Sequence, residues 1–120
     1  MDLTKKSQLE EIGIDVDSVL DRFMGNEAIL MRFLKKFLND GNYGKLKEAV
    51  QTGDMEGALA ASHTLKGVTG NLSMTKLYEL LTDQVQLFRE GKTEEAIHMM
   101  DEITRNYQEI VEGIKKVTGE

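Results

Sequence analysis

No proline occurs in the 120 residues. A chain without the usual helix breaker, and with little alternation of β-branched residues, is constrained toward helix along its whole length. Glycine supplies the punctuation instead. Gly25-Asn26, Gly41-Asn42-Tyr43-Gly44, Gly53-Asp54 and Gly91-Lys92-Thr93 are the natural breaks. In several of them a glycine suited to end one helix precedes an Asn, Asp or Thr able to cap the next.

The pieces between these breaks carry helical apolar spacing. Leu3 to Glu11 is a short amphipathic start, followed by Val16 to Met24 with Val16, Val19, Leu20 and Phe23 on one side. These two are expected to form a cap instead of core helices. Glu27 to Asn39 presents Leu30, Phe33, Leu34, Phe37 and Leu38, and a shorter helix from Lys45 to Thr52 carries Leu46 and Val50. Asp54 to Leu72 places Ala58, Ala61, Leu65, Val68 and Leu72 on one stripe. After a turn at Ser73-Met74-Thr75, Lys76 to Glu90 buries Leu77, Leu80, Leu81 and Phe88. The last helix, Glu94 to Lys116, spaces Met100, Ile103, Tyr107, Ile110 and Ile114, and then Val117, alternately by three and four, the seam of an antiparallel pair. The expected fold is all-α: an up-down antiparallel four-helix bundle with a short N-terminal helical cap, one domain over residues 1–120.

Composition removes several functions. The net charge is −6 and the pI near 5.0, with fifteen Lys and Arg scattered among twenty-one acids, so nucleic acid is not expected as a partner. There is no cysteine, which removes disulfides and thiolate chemistry and leaves only His and carboxylates as metal ligands. No metal site or cofactor is expected. The N-terminal residues Met-Asp-Leu-Thr-Lys-Lys form no apolar leader, and no run approaches the length that spans a bilayer. A cytoplasmic monomer without membrane contact is expected.

Against this background His63 stands out. At about 100° per residue it lies almost opposite Leu65 and Leu72, so its imidazole points away from the core stripe. Its neighbours along the helix are Leu59, Ala60, Lys66, Gly67 and Gly70. A glycine inside a helix costs roughly 0.5–1 kcal/mol relative to alanine, yet two follow His63 on its own face, which implies that something large needs room there. Imidazole keeps an unprotonated nitrogen in most molecules at neutral pH and is a competent nucleophile toward phosphorus. Lys66 would set a positive charge beside the phosphoryl oxygens. No G-x-x-x-x-G-K-S/T cradle is present, so the phosphoryl group would come from another protein.

Ser62-His63-Thr64-Leu65-Lys66-Gly67-Val68-Thr69-Gly70-Asn71-Leu72 resembles the signature of histidine phosphotransfer (HPt) domains, A-H-x-L-K-G followed by an aliphatic residue and glycine. The likeness continues upstream through Asp15-Val16, Arg22-Phe23-Met24-Gly25-Asn26-Glu27, Phe33-Leu34, Phe37-Leu38 and Gly53-Asp54, and downstream through Leu77, Leu80 and Arg89-Glu90-Gly91. It implies a cytosolic four-helix bundle whose histidine accepts a phosphoryl group from a receiver-domain aspartate and passes it on. Carried over by position, His63 is the phosphoacceptor, Lys66 its electrostatic partner and Gly67 the small residue under the docking face. A histidine kinase and response-regulator receiver domains are the implied partners, and Mg²⁺ belongs to the receiver. The chain departs from the pattern in three places. Ser62 replaces alanine, Ser73 replaces the closing glycine, and Val85 stands where relatives place a Gln that bonds the imidazole, with Gln84 and Gln86 on either side. Gln84 is the candidate for that bond.

Gly67, Gly70, Leu59 and Ala60 are the expected docking residues, with Ile14 or Leu20 of the cap adding apolar surface. Two other functions compete with the phosphocarrier. A docking bundle of the same shape would never carry phosphate on His63, but it would have no need of Lys66 or Gly67. A haem or di-iron bundle would need an inward-facing ligand; C-x-x-C-H is absent, and the one E-x-x-H, Glu95 to His98, has no second copy. His98 reads as an exposed structural residue, the seven methionines as core filler, and Glu79, Asp83 and Glu90 as a solvated face.

Overall fold

The computed structural model describes residues 1–120, all helix, turn and short connection. The helices are α1 (Leu3–Glu11), α2 (Val16–Arg22), α3 (Glu27–Phe37), α4 (Asn42–Thr52), α5 (Met55–Asn71), α6 (Thr75–Arg89), α7 (Thr93–His98) and α8 (Met100–Thr118). Four of the eight helix starts are capped by a side chain. The side chains of Asp2, Asp15, Asn26 and Asp54 accept N–H groups of their own first turns, satisfying donors that a helix N-terminus leaves free. At the end of α4, Gly53 takes the left-handed conformation that turns the chain into α5.

α5 packs between α4 and α6, α6 against α7 and α8, and α8 closes the ring against α3 and α1. α3 with α4, then α5, α6, and α7 with α8 are thus the four staves of the bundle. α5 and α6 run antiparallel: Ser62 meets Gln84 and Gly70 meets Tyr78, one number rising as the other falls. The core is one cluster drawn from every helix, with Leu34, Leu65, Leu81, Ile103 and Ile114 wholly buried. No helix is long and apolar enough to cross a membrane.

Three expectations change. The final helix is two, α7 and α8, joined at Met99. The Ala96 carbonyl, which an unbroken helix would give to the Met100 N–H, instead accepts from the Met99 N–H at 3.3 Å and from the buried Gln84 amide at 3.0 Å. A side chain inserted into the helical ladder breaks it. Second, Asn42-Tyr43-Gly44 is the first turn of α4 and not a break, because the Asp40 carboxylate accepts both the backbone and the side-chain N–H of Asn42 at 2.9 Å.

Third, the N-terminal pair is more than a cap. Leu9, Ile14, Val16 and Val19 are wholly or almost wholly buried. An antiparallel bridge between Ile14 and Met74 pins the α1–α2 turn to the α5–α6 turn, with the Asp15 N–H on the Ser73 carbonyl at 2.9 Å and the Thr75 N–H on the Gly13 carbonyl at 3.0 Å. Ser73 has φ +52° there, a left-handed conformation that costs a non-glycine residue about 1–2 kcal/mol. That explains why glycine suits this position. The Ser73 hydroxyl, 3.2 Å from that of Ser18, gives serine a contact glycine lacks.

Candidate functional site

Two faces of α5 divide the work. Ala58, Ala61, Ser62, Leu65, Thr69 and then Leu72 are buried, at helical spacings that include two hydroxyls, while Val68 is only half-buried. On the opposite face His63, Thr64 and Gly67 are exposed, and Lys66 and Gly70 half-buried. The imidazole therefore stands outside the core, as its phase requires. Lys66, one turn on, shares that side of the helix.

Beyond His63 lies a groove of about 580 Å³. Lys66, Gly67 and Gly70 form its α5 wall, Arg22 and Ser18 the wall from α2, and Tyr78 and Glu79 the wall from α6. The Arg22 guanidinium donates to the Gly70 carbonyl, which places a second cation in the same groove as Lys66. Arg22 was not singled out from the sequence. It sits 48 residues from its acceptor, and only the pinning of α2 over the α5–α6 turn brings the two together.

The two glycines of this face differ. A Cβ on Gly67 would meet nothing within 4 Å, so the space above it is open. A Cβ on Gly70 would lie 2.9 Å from the ring of Tyr78. Gly70 makes room for this chain's own tyrosine, which corrects its assignment as a docking position: the space is already filled. Leu59 is half-buried and packed on the core, Ala60 is exposed and borders a second groove toward α4, and Leu20 is half-buried. Ile14 is 1% exposed and belongs to the core, so it offers a partner no surface.

Gln84 does not bond the imidazole. Its side chain is wholly buried, accepts from the Ser62 hydroxyl at 2.8 Å, and donates to the Ala96 carbonyl and toward the Met100 sulfur. A step of one residue on α5 is a turn of about 100°, so the group that meets Ser62 cannot also face His63. The signal was present in the spacing: Leu77, Leu81, Gln84 and Phe88 are separated by four, three and four, which puts Gln84 on the core stripe. Val85 is buried as well. The residue that does reach the imidazole is Arg89, in the last turn of α6, with Nη2 3.5 Å from Nδ1 of His63. This is the long end of hydrogen-bond range. Arg89 appeared in the sequence only as part of the downstream likeness, because spacing along one helix says nothing of an arginine reaching across from the next.

Compared with curated proteins and with solved structures, the chain finds no match. The family described as Hpt domain matches residues 36–113, from within α3 to the last turns of α8, a span that includes His63, Lys66 and Arg89 and leaves α1 and α2 outside. That span is well over half of the sequence, and the helical architecture agrees with it: the chain belongs to the Hpt domain family.

Proposed function

We propose that this chain is a histidine phosphotransfer protein in which His63 accepts a phosphoryl group from a receiver-domain aspartate of a hybrid histidine kinase and relays it to a response regulator. The observation that carries this reading is the solvent-facing imidazole in the middle of α5, with Lys66 beside it and open space over Gly67, in a chain of the Hpt domain family. In the uptake step an imidazole nitrogen attacks phosphorus in line. The N–P bond forms, the P–O bond to the aspartyl group breaks, and its electron pair returns to the carboxylate. The proton left on the other ring nitrogen passes to solvent.

Such a transfer needs position and charge compensation more than acid–base catalysis. The rigid helix supplies position, Lys66 supplies positive charge, and the absent side chain of Gly67 lets a receiver domain approach. Mg²⁺ comes with the receiver, and the chain is a carrier with no kinase activity of its own, working as a monomer in the cytoplasm.

Mixing the protein with a phosphorylated receiver domain tests the reading. The phosphoryl group is expected to move onto this chain and then onto a second receiver. Lys66→Ala is expected to slow both steps about tenfold without abolishing them, the effect of losing one charge near the phosphoryl oxygens. Stable binding of the receiver with no transfer of phosphate would replace the carrier with a docking module.

A further inference from the structure

The exposed stripe of α5 is flanked by two grooves whose charges differ. Toward α4 the lining sets Lys45 against Glu48 and Asp54, and its hydrophobic residues are Ala49, Ala60 and Ala61. Toward α2 and α6 the charged residues are Arg22, Lys66 and one acid, Glu79. None of these last three is held in a salt bridge. The Arg22 guanidinium donates to the Gly70 carbonyl, and its other N–H groups meet no acceptor in the chain. On a chain of net charge −6, this is a local excess of positive charge one turn beyond His63.

Past the groove the surface turns apolar. Asn71 borders it and also a hollow of about 220 Å³ that Phe33 and Val68 line. Phe33 is 39% exposed, its ring stacked on Phe23 with centroids 5.1 Å apart. Two free cations beside an exposed aromatic ring suit a partner with a negative rim and an apolar flank.

We propose that the receiver domain docks over the α2 side of α5 with its acidic rim on Arg22 and Lys66, and that Arg22 is a specificity-determining contact for that partner. The inference rests on the phosphotransfer reading above. A receiver that carries a phosphoaspartate and Mg²⁺ holds the metal with carboxylates, and the phosphoryl group adds further negative charge. The α4 groove, with two acids to one cation, repels such a rim. The α2 groove, with two cations to one acid, attracts it. Arg22 lies outside residues 36–113, so this contact is one that the span shared with the Hpt domain family does not supply.

The test measures the rate of phosphoryl uptake by the intact chain from two donors. One is a phosphorylated receiver domain at subsaturating concentration; the other is phosphoramidate, a small donor that needs no docking surface. Wild type is compared with Arg22→Gln, which keeps an amide donor and loses the charge, and with Arg22→Lys, which keeps the charge. Glu79→Gln removes the acid of the same groove, and Lys45→Ala removes one positive charge from the other. All these side chains are exposed, so helical content by circular dichroism is expected to be equal throughout. With the receiver at about 0.05 M salt, Arg22→Gln is expected to react about fivefold more slowly than wild type and Glu79→Gln about twofold faster. Both differences are expected to close by about 0.5 M salt. Arg22→Lys and Lys45→Ala are expected to stay near wild type, and with phosphoramidate all the chains are expected to react alike. An Arg22→Gln chain as fast as wild type with the receiver would overturn the inference. So would equal slowing with both donors, since Arg22 would then serve the fold or the imidazole. A Lys45→Ala chain slowed as much as Arg22→Gln would overturn it too, because net charge alone would then draw the partner. A wild type that takes phosphate from neither donor is a different result: the phosphotransfer reading itself falls, and the inference with it.

Discussion

A methyl group added at Gly67 meets empty space, and one added at Gly70 meets the Tyr78 ring; the two positions are therefore expected to answer differently to the same substitution. Alanine is favoured over glycine inside a helix by up to about 1 kcal/mol. Gly67→Ala is accordingly expected to raise the melting temperature and, because the methyl stands on the face a receiver must approach, to slow phosphotransfer. Gly70→Ala is expected to show no such gain until Tyr78→Ala is added to it. Thermal melts of the three variants check this, and equal stabilisation at both glycines would contradict it. The outward phase of His63, Lys66 and Gly67 was legible from the sequence because it needs only the periodicity of one helix. Gly70 was misjudged because the ring that fills its space comes from the next helix.

The pairing of α5 with α6, and of α6 with the α7–α8 joint, depends on buried polar groups. Ser62, Thr69, Gln84 and Asn106 all sit at core spacings, and a reading that counts only apolar residues passes over them. Gln84 shows the consequence: it ties α5 to α6 through Ser62 and interrupts the last stave by taking the Ala96 carbonyl. Ser62→Ala is expected to cost about 1–3 kcal/mol, because it leaves the Gln84 oxygen buried without a donor. With Gln84→Leu added, the combined loss is expected to be smaller than the sum of the single losses. Urea unfolding of the cycle measures the coupling, and simple additivity would contradict it.

A second tie joins α4 and α8. Tyr43 stacks on Tyr107 with centroids 4.1 Å apart, and its hydroxyl lies 2.7 Å from that of Thr104. Burial pushes the Tyr107 phenol above its ordinary value of 10.0, with Asp40 and Tyr43 adding to the shift. An acid whose folded value is raised ionises first in the unfolded chain. Its contribution is therefore whole below about pH 10 and is lost as pH rises toward the folded value. Tyr107→Phe is expected to flatten the alkaline fall in stability, and an ultraviolet titration is expected to show one of the three tyrosines ionising after the others.

Across the whole molecule, an acidic surface of net charge −6 contrasts with the cations gathered at the His63 face: Lys66 and Arg22 in the groove, and Arg89 on the imidazole. The bundle was legible because a proline-free chain with seven amphipathic segments has few other folds open to it. The seating of α1 and α2 was not. The contacts that pin them, Ile14 to Met74 and Ser18 to Ser73, join positions about sixty residues apart through short turns that carry no periodic signal. The central claim is that the exposed imidazole of α5 carries the phosphoryl group, and it is tested most directly by incubating wild type and His63→Gln with a phosphorylated receiver domain and mapping the label. An acid-labile, alkali-stable phosphoryl group on His63 of the wild type, and none on a His63→Gln chain of unchanged melting temperature, is the predicted result; equal labelling of both chains, or a His63→Gln chain that fails to fold, would contradict it.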